Sequence, residues 1–160
     1  MRLKLRSECD LGAHIDGGGF GHVYAATSTD GLAREYVVKL VPKLRGAQRE
    51  LLFIDLSGVR NVVPIIESGE TDDSWALVMP RAGKSLRQHI PETGRAFDLE
   101  TALPILPDIA TALVDLYGKV VHRDLKPENI LLLDGKRCLA DFGISRYAEA
   151  TTAPDTQEYA

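Results

Sequence analysis

The stretch His122-Arg123-Asp124-Leu125-Lys126-Pro127-Glu128-Asn129 gathers an acid, an ammonium and a side-chain amide between the apolar pair Val120-Val121 and the apolar run Ile130 to Leu133. That combination answers a definite chemical need. A hydroxyl attacking a phosphoryl group requires a carboxylate to orient it and accept its proton, and Asp124 has that chemistry. Lys126 can meet the charge of a transferring phosphate. Asn129 can offer a carbonyl oxygen to a metal ion, and oxygen ligands suit Mg2+. A charged surface turn before a buried strand would not require these residue types in this order. Asp141-Phe142-Gly143 follows the apolar stretch Cys138 to Ala140. It puts a second carboxylate at a strand end, where with Asn129 it would complete a metal site, and Gly143 frees the backbone to rearrange.

Upstream, DGGGFGHV runs from Asp16 to Val23 between two extended segments. Glycines let a backbone approach a ligand closely and turn its amides toward phosphate oxygens, although the same residues would also serve a plain hairpin turn. Lys39 lies in the strand-like run YVVKLV between Val38 and Leu40. A strand lysine is ordinarily a solvated edge residue. Following a glycine loop, it becomes a point charge able to neutralise nucleotide phosphates, and Glu50 is the carboxylate expected to pair with it.

The elements that must position these groups are legible as patterns. Extended runs at 11–15, 23–27 and 35–41 predict three antiparallel strands; 62–67 and 75–79 predict two more, around the polar turn Ser68 to Ser74. AQRELLFIDL predicts a short helix over 47–56. Beyond Met79 the connector PRAGKS marks a boundary, giving a small sheet lobe over 1–79, a hinge over 80–84 and a second lobe over 85–160. In that second lobe Asp98 can cap a helix whose apolar positions Ile105, Ile109, Leu113 and Leu116 recur at helical spacing. Pro104 and Pro107 mark either its start or a kink.

At 160 residues, with 44% hydrophobic and 26% charged residues, the chain reads as a globular α+β protein of one domain or two small lobes. A net charge of -4 provides no basic footprint for nucleic acid. Cys9 and Cys138 lack metal-ligand spacing and read as reduced thiols. No apolar run is long enough for a membrane span, and MRLKLRSECDLG does not build a signal peptide, so a cytoplasmic location is expected.

The ordered set of glycine loop, strand lysine, helix glutamate, hinge, HRDLKPEN and DFG resembles the eukaryotic-type (Hanks-type) serine/threonine protein kinases, a kind also found in bacteria. The resemblance covers nearly all of this chain but only the N-terminal part of that fold: the antiparallel-sheet N-lobe with one helix and the beginning of a mainly helical C-lobe. It implies ATP- and Mg2+-dependent transfer to serine or threonine hydroxyls of a protein substrate. Gly18, Gly19, Phe20 and Gly21 would then cover the phosphates, Lys39 would contact them, and Glu50 would position Lys39. Asp124 would be the catalytic base, Lys126 would steady the γ-phosphate, and Asn129 and Asp141 would bind Mg2+. The adenine would lie among Ile15, Val23, Val37, Met79 and Leu131, against the hinge backbone around Arg81 and Ala82. Ile54, His122 and Phe142 would stack between the lobes.

Three departures from the family pattern stand out. Asp16 replaces the first loop glycine, Val37 stands where alanine is usual, and the spacing from Lys39 to Glu50 is short. They motivate a competing reading, a nucleotide-binding module without transfer activity. A small-molecule kinase on the same fold is a further rival, against which Lys126 and Arg123 match the protein-kinase loop. Arg123 could pair with a phosphate on Thr151, Thr152 or Thr156. Apolar surface on the helix from Ile105 to Leu116 is expected to be partly uncovered and available for self-association.

Overall fold

The computed structural model describes residues 2–4, 8–18, 21–28, 35–43, 55–56, 58–90, 97–142 and 146–147. Its first half is a six-stranded antiparallel sheet of β1 (Arg2–Lys4), β2 (Glu8–Gly18), β3 (Gly21–Ser28), β4 (Glu35–Pro42), β5 (Glu67–Glu70) and β6 (Ser74–Pro80), in the order β1-β2-β3-β4-β6-β5. The runs 11–15, 23–27, 35–41 and 75–79 lie inside four of these strands. β1 is an additional edge strand, paired with β2 from Arg2 opposite Asp10 to Lys4 opposite Glu8. One face of the sheet closes over Cys9, Ala26, Val38, Ala76 and Val78, with Leu11, Tyr36 and Leu40 packed against them.

The strand expected over 62–67 does not form. Val62 instead makes a lone parallel bridge with Leu139, Val63 N–H donates to the Leu139 carbonyl at 2.8 Å, and Leu139 N–H donates to the Asn61 carbonyl at 2.9 Å. Asn61 is in the left-handed region at φ 53°, and Pro64 brings no N–H to a ladder. The apolar pair Val62-Val63 therefore serves the second half of the chain. The strand begins only at Glu67 and runs on to Glu70, through residues that read as a polar turn, and the reversal tightens to Thr71–Ser74, where Thr71 N–H donates to the Ser74 carbonyl. Of the helix expected over 47–56, only Asp55 and Leu56 are described and neither is helical; the remainder lies outside the described residues.

The second half contains α1 (Leu86–His89), α2 (Leu99–Ala102), α3 (Ile105–Leu116), the short strands β7 (Val120–Val121), β8 (Ile130–Leu133), β9 (Lys136–Leu139) and β10 (Arg146–Tyr147), and a 3-10 turn at Pro127–Asn129. Asp98 caps α2 rather than the long helix, its carboxylate accepting from Thr101 N–H at 2.8 Å. The long helix starts at Pro104, so Pro104 and Pro107 fall where backbone N–H groups have no intrahelical acceptor and a proline is tolerated. β8 and β9 form a hairpin through Asp134-Gly135, both at positive φ (49° and 75°), as a two-residue loop matching strand twist requires. The core beneath the HRD stretch joins Leu86, Ala112, Leu116, Val120, Ile130, Leu139 and Phe142.

Of the apolar stripe read for α3, Ile105 and Ile109 pack on this core and Leu116 is buried in it, whereas Leu113 is exposed. Its place is taken by Ala112 and by a charged residue, Asp108. Burial works against the Asp108 carboxylate. The Arg137 N–H at 3.0 Å, the Lys136 ammonium at 3.2 Å and Asn61 outweigh it and hold the acid below its ordinary range. Leu106, Val114 and Tyr117 are also exposed, as expected for a partly uncovered helix surface.

Candidate active site

β4 sets the first side of the site. Lys39 pairs with Val23 on β3 and with Leu77 on β6, and Val37 pairs with Ala25 and Met79. Directly opposed residues share a face of a sheet, so Val23, Val37, Lys39 and Met79 look the same way, toward the side on which Lys39 meets Asp141. Lys39 is 7% exposed, and its ammonium donates to Asp141 Oδ1 at 2.9 Å. A buried ammonium needs such a partner. The structure thus brings Lys39 to Asp141; Glu50, expected to pair with it, lies outside the described residues, as do Ile54, Gly19, Phe20, Gly143 and the threonines at 151, 152 and 156.

β3 begins at Gly21, whose φ of 125° only glycine adopts readily and where an added Cβ would collide with the Leu40 carbonyl. Gly18 sits opposite Gly21 at the hairpin end. Asp16, the departure from the family pattern, turns its Oδ1 onto Gly17 N–H at 2.8 Å. Ile15 is 49% exposed.

At the other end of β6, Arg81 N–H donates to the Glu35 carbonyl, Gly83 N–H to the Leu132 carbonyl at 2.7 Å, and Leu132 N–H to the Lys84 carbonyl. Ser85 bridges Leu131. These bonds fasten the irregular segment around Arg81 and Ala82 to β8, which carries Leu131 half-buried beside it.

The HRD stretch is organised around Asp124. Its Oδ2 accepts from Lys126 Nζ at 2.7 Å and from Asn129 Nδ2 at 2.9 Å, and its carbonyl accepts from the same amide at 3.0 Å. The Lys126 ammonium, and after it the Asn129 amide, holds the Asp124 carboxyl below the usual range against the opposing effect of burial. Lys126 is pushed the other way by the same hydrogen bond. Asp124 is therefore an ionised carboxylate at neutral pH, as a proton acceptor must be. Asn129 is buried and directs its amide hydrogens at Asp124, which leaves its carbonyl oxygen as the atom suited to a hard cation. With the Asp141 carboxylate this is an oxygen donor set that fits Mg2+.

His122 bolts the two acidic segments together. Its Nδ1 accepts from Asp124 N–H at 3.3 Å, so the ring proton sits on Nε2, which donates to the Ala140 carbonyl at 3.1 Å. Its ring lies 4.7 Å from that of Phe142. Burial is the main influence on this imidazole and lowers its basicity. The sequence identifies His122 only as part of an apolar stack; its two hydrogen bonds and the direct Lys39–Asp141 pair come from the fold. Arg123 and Asp141 both hold left-handed backbone, at φ 67° and 62°. Such conformations disfavour L-residues and persist only where surrounding structure enforces them.

The model of the protein kinase domain family matches residues 10–160. Over 98% of its length the chain is 29% identical to the Probable serine/threonine-protein kinase PknB of Corynebacterium glutamicum, of which it covers 26%. It is 33% identical to the serine/threonine-protein kinase PrkC of Bacillus subtilis over 89% of its own length and 23% of that protein's. Over 61% of the chain it is 39% identical to the Xenopus laevis MAP kinase-interacting serine/threonine-protein kinase 2, of which it covers 22%. The chain thus spans about a quarter of these relatives. With the strand lysine bonded to the DFG aspartate, the HRD aspartate joined to that segment through His122, and a family match over nearly the whole sequence, the chain belongs to the protein kinase domain family.

Proposed function

We propose that this chain carries the nucleotide-binding and catalytic groups for ATP- and Mg2+-dependent phosphoryl transfer to serine and threonine hydroxyls of proteins. The observation that carries the reading is the Asp124 carboxylate, ionised and held by Lys126 and Asn129 within the same short loop. In this reading Asp124 orients the substrate hydroxyl and takes its proton as the oxygen bonds to the γ-phosphorus, and ADP departs with the electrons of the broken P–O bond. Lys126 offsets charge on the transferring group. Lys39 contacts the nucleotide phosphates, aided by Glu50, and the amides of Gly18, Gly19, Phe20 and Gly21 face them. Ile15, Val23, Val37, Met79 and Leu131 enclose the adenine against the backbone of Arg81 and Ala82. Asn129 and Asp141 would hold Mg2+, which supplies charge neutralisation at the phosphates. The same reading assigns 1–79 to the N-lobe, 80–84 to the hinge and 85–160 to a partial C-lobe.

The Asp16 carboxylate on Gly17 N–H favours a second reading, in which nucleotide binds without transfer, because a negative charge at this hairpin disfavours the close placement of the terminal phosphates that transfer needs. The test is Asp124→Asn in a protein carrying this chain, assayed for phosphate transfer from Mg-ATP to a serine- and threonine-bearing protein, with nucleotide binding measured alongside. Loss of a positioned base lowers the rate by about two orders of magnitude or more. Unchanged turnover in the variant would remove Asp124 from the role; nucleotide binding with no transfer by the unmodified protein would select the second reading.

A further inference from the structure

The hairpin of β2 and β3 carries a histidine pair that the phosphate-transfer reading does not use. His14 Nε2 and His22 Nδ1 lie 3.3 Å apart, and both residues are exposed. β2 has eleven residues to the eight of β3. Two of the three extra residues are taken up by register shifts on either side of His14, which pairs with Tyr24 while Gly17 pairs with His22. Bulges of this kind re-aim a side chain, and here they lean His14 along the hairpin toward His22. The edge contact of the His14 ring with Tyr24, at 5.2 Å between centroids, fixes its plane.

His22 pairs with Leu40 and Val23 with Lys39. Because neighbouring strand residues face opposite ways, the two imidazoles stand on the side of the hairpin away from Lys39.

The spacing of these nitrogens is that of two ligands on one ion. Two imidazole nitrogens about 2.05 Å from a tetrahedral Zn2+ lie about 3.3 Å from each other. Gly17 keeps the space they converge on open: a Cβ built there would stand 2.6 Å from His22 Nδ1 and 2.9 Å from His14 Nε2. No unusual φ requires glycine at this position, so the rings are what exclude a side chain. We propose that His14 Nε2 and His22 Nδ1 form a two-imidazole site for a divalent transition-metal ion of zinc's preference, on the outer face of the glycine hairpin. Among the described residues no group of three or more metal-binding side chains occurs, so water completes the coordination. Imidazole selects Zn2+, Cu2+ or Ni2+ over Mg2+, which prefers oxygen ligands.

The test is isothermal titration calorimetry of the chain with ZnCl2 in the presence of excess Mg2+, compared with His14→Ala, His22→Ala and Gly17→Ala. Circular dichroism verifies the fold of each variant. Histidine ring NMR signals of the unmodified chain are followed in the same titration. The expected result is one zinc equivalent that shifts the His14 and His22 signals and binds at least about tenfold more weakly in every variant, because each one breaks the chelate. Gly17→Ala is the sharpest comparison, since it retains both imidazoles and fills the space between them. Undiminished affinity in the three variants, or unmoved His14 and His22 signals, would place zinc elsewhere and overturn the site. An absence of zinc binding to the unmodified chain would show the pair to be a hydrogen-bonded contact only.

Discussion

Acidification should loosen the link between the HRD and DFG segments through one residue, His122. The imidazole is 4% exposed, its Nδ1 accepts from Asp124 N–H, and its Nε2 donates to the Ala140 carbonyl. A second proton would turn the Nδ1 acceptor into a donor facing a donor, in a place where burial already disfavours charge. Its folded pKa is accordingly depressed below the ordinary value of about 6.5. A histidine in an unfolded chain keeps its ordinary pKa, so between the two values the unfolded state binds more protons and stability rises with pH. The stabilisation is present above about pH 6.5 and is lost as pH falls from there toward the folded pKa. One proton limits the slope to about 1.4 kcal/mol per pH unit, and the loss between about pH 7.5 and about pH 5.5 is likewise at most about 1.4 kcal/mol. Urea unfolding across this range measures it. His122→Gln supplies the control, since its amide can still accept from Asp124 and donate to Ala140 but does not titrate. The variant should be less stable at neutral pH through loss of the Phe142 contact, and its stability should fall less steeply over the window. Equal slopes in the two proteins would refute the neutral, buried assignment of His122.

Leu139 is fully buried beneath the same loop, and its truncation to alanine should lower stability by about 3–5 kcal/mol, read as a fall in thermal midpoint of roughly 10 °C. A change below about 1 kcal/mol would mean that the core around Leu116 and Phe142 can close over the cavity. Cys9 and Cys138 are free, buried and raised in pKa chiefly by burial, so a thiol reagent should react with them only as fast as the protein opens, and rapidly in denaturant. Fast stoichiometric labelling of the native protein would contradict their placement.

The arrangement of the candidate site was legible because its residues are written contiguously. Asp124, Lys126 and Asn129 sit in one loop, and the hydrogen bonds among them need only that loop's own geometry. The strands carrying Val23, Lys39 and Met79 likewise announce themselves by alternation and by glycine or proline at their ends. What stayed hidden depends on partners distant in sequence. Val62-Val63 has the composition of a strand, yet its hydrogen bonds go to Leu139. Asp108 interrupts the apolar side of α3, and only the β8–β9 turn, which delivers Lys136 and the Arg137 amide, explains why an acid can be buried there. A charged residue inside an apolar stripe was the available signal. Arg60 forms a two-pronged pair with Asp115, which holds that acid far below its ordinary range, and nothing local to either residue foretells it.

The Lys39–Asp141 bond joins residues 102 positions apart. Closing a flexible loop of that size carries an entropic penalty on the order of 4 kcal/mol, more than one charge-assisted hydrogen bond returns in net stability. The pair therefore cannot nucleate the chain's collapse. It forms after the sheet has delivered Lys39 and after the core around Leu139 and Phe142 has delivered Asp141. In kinetic terms it belongs to the late, native side of the folding barrier, where substitutions chiefly alter the unfolding rate. Chains that have completed only the sheet hold the lysine without its aspartate, so this contact is complete only near the end of folding.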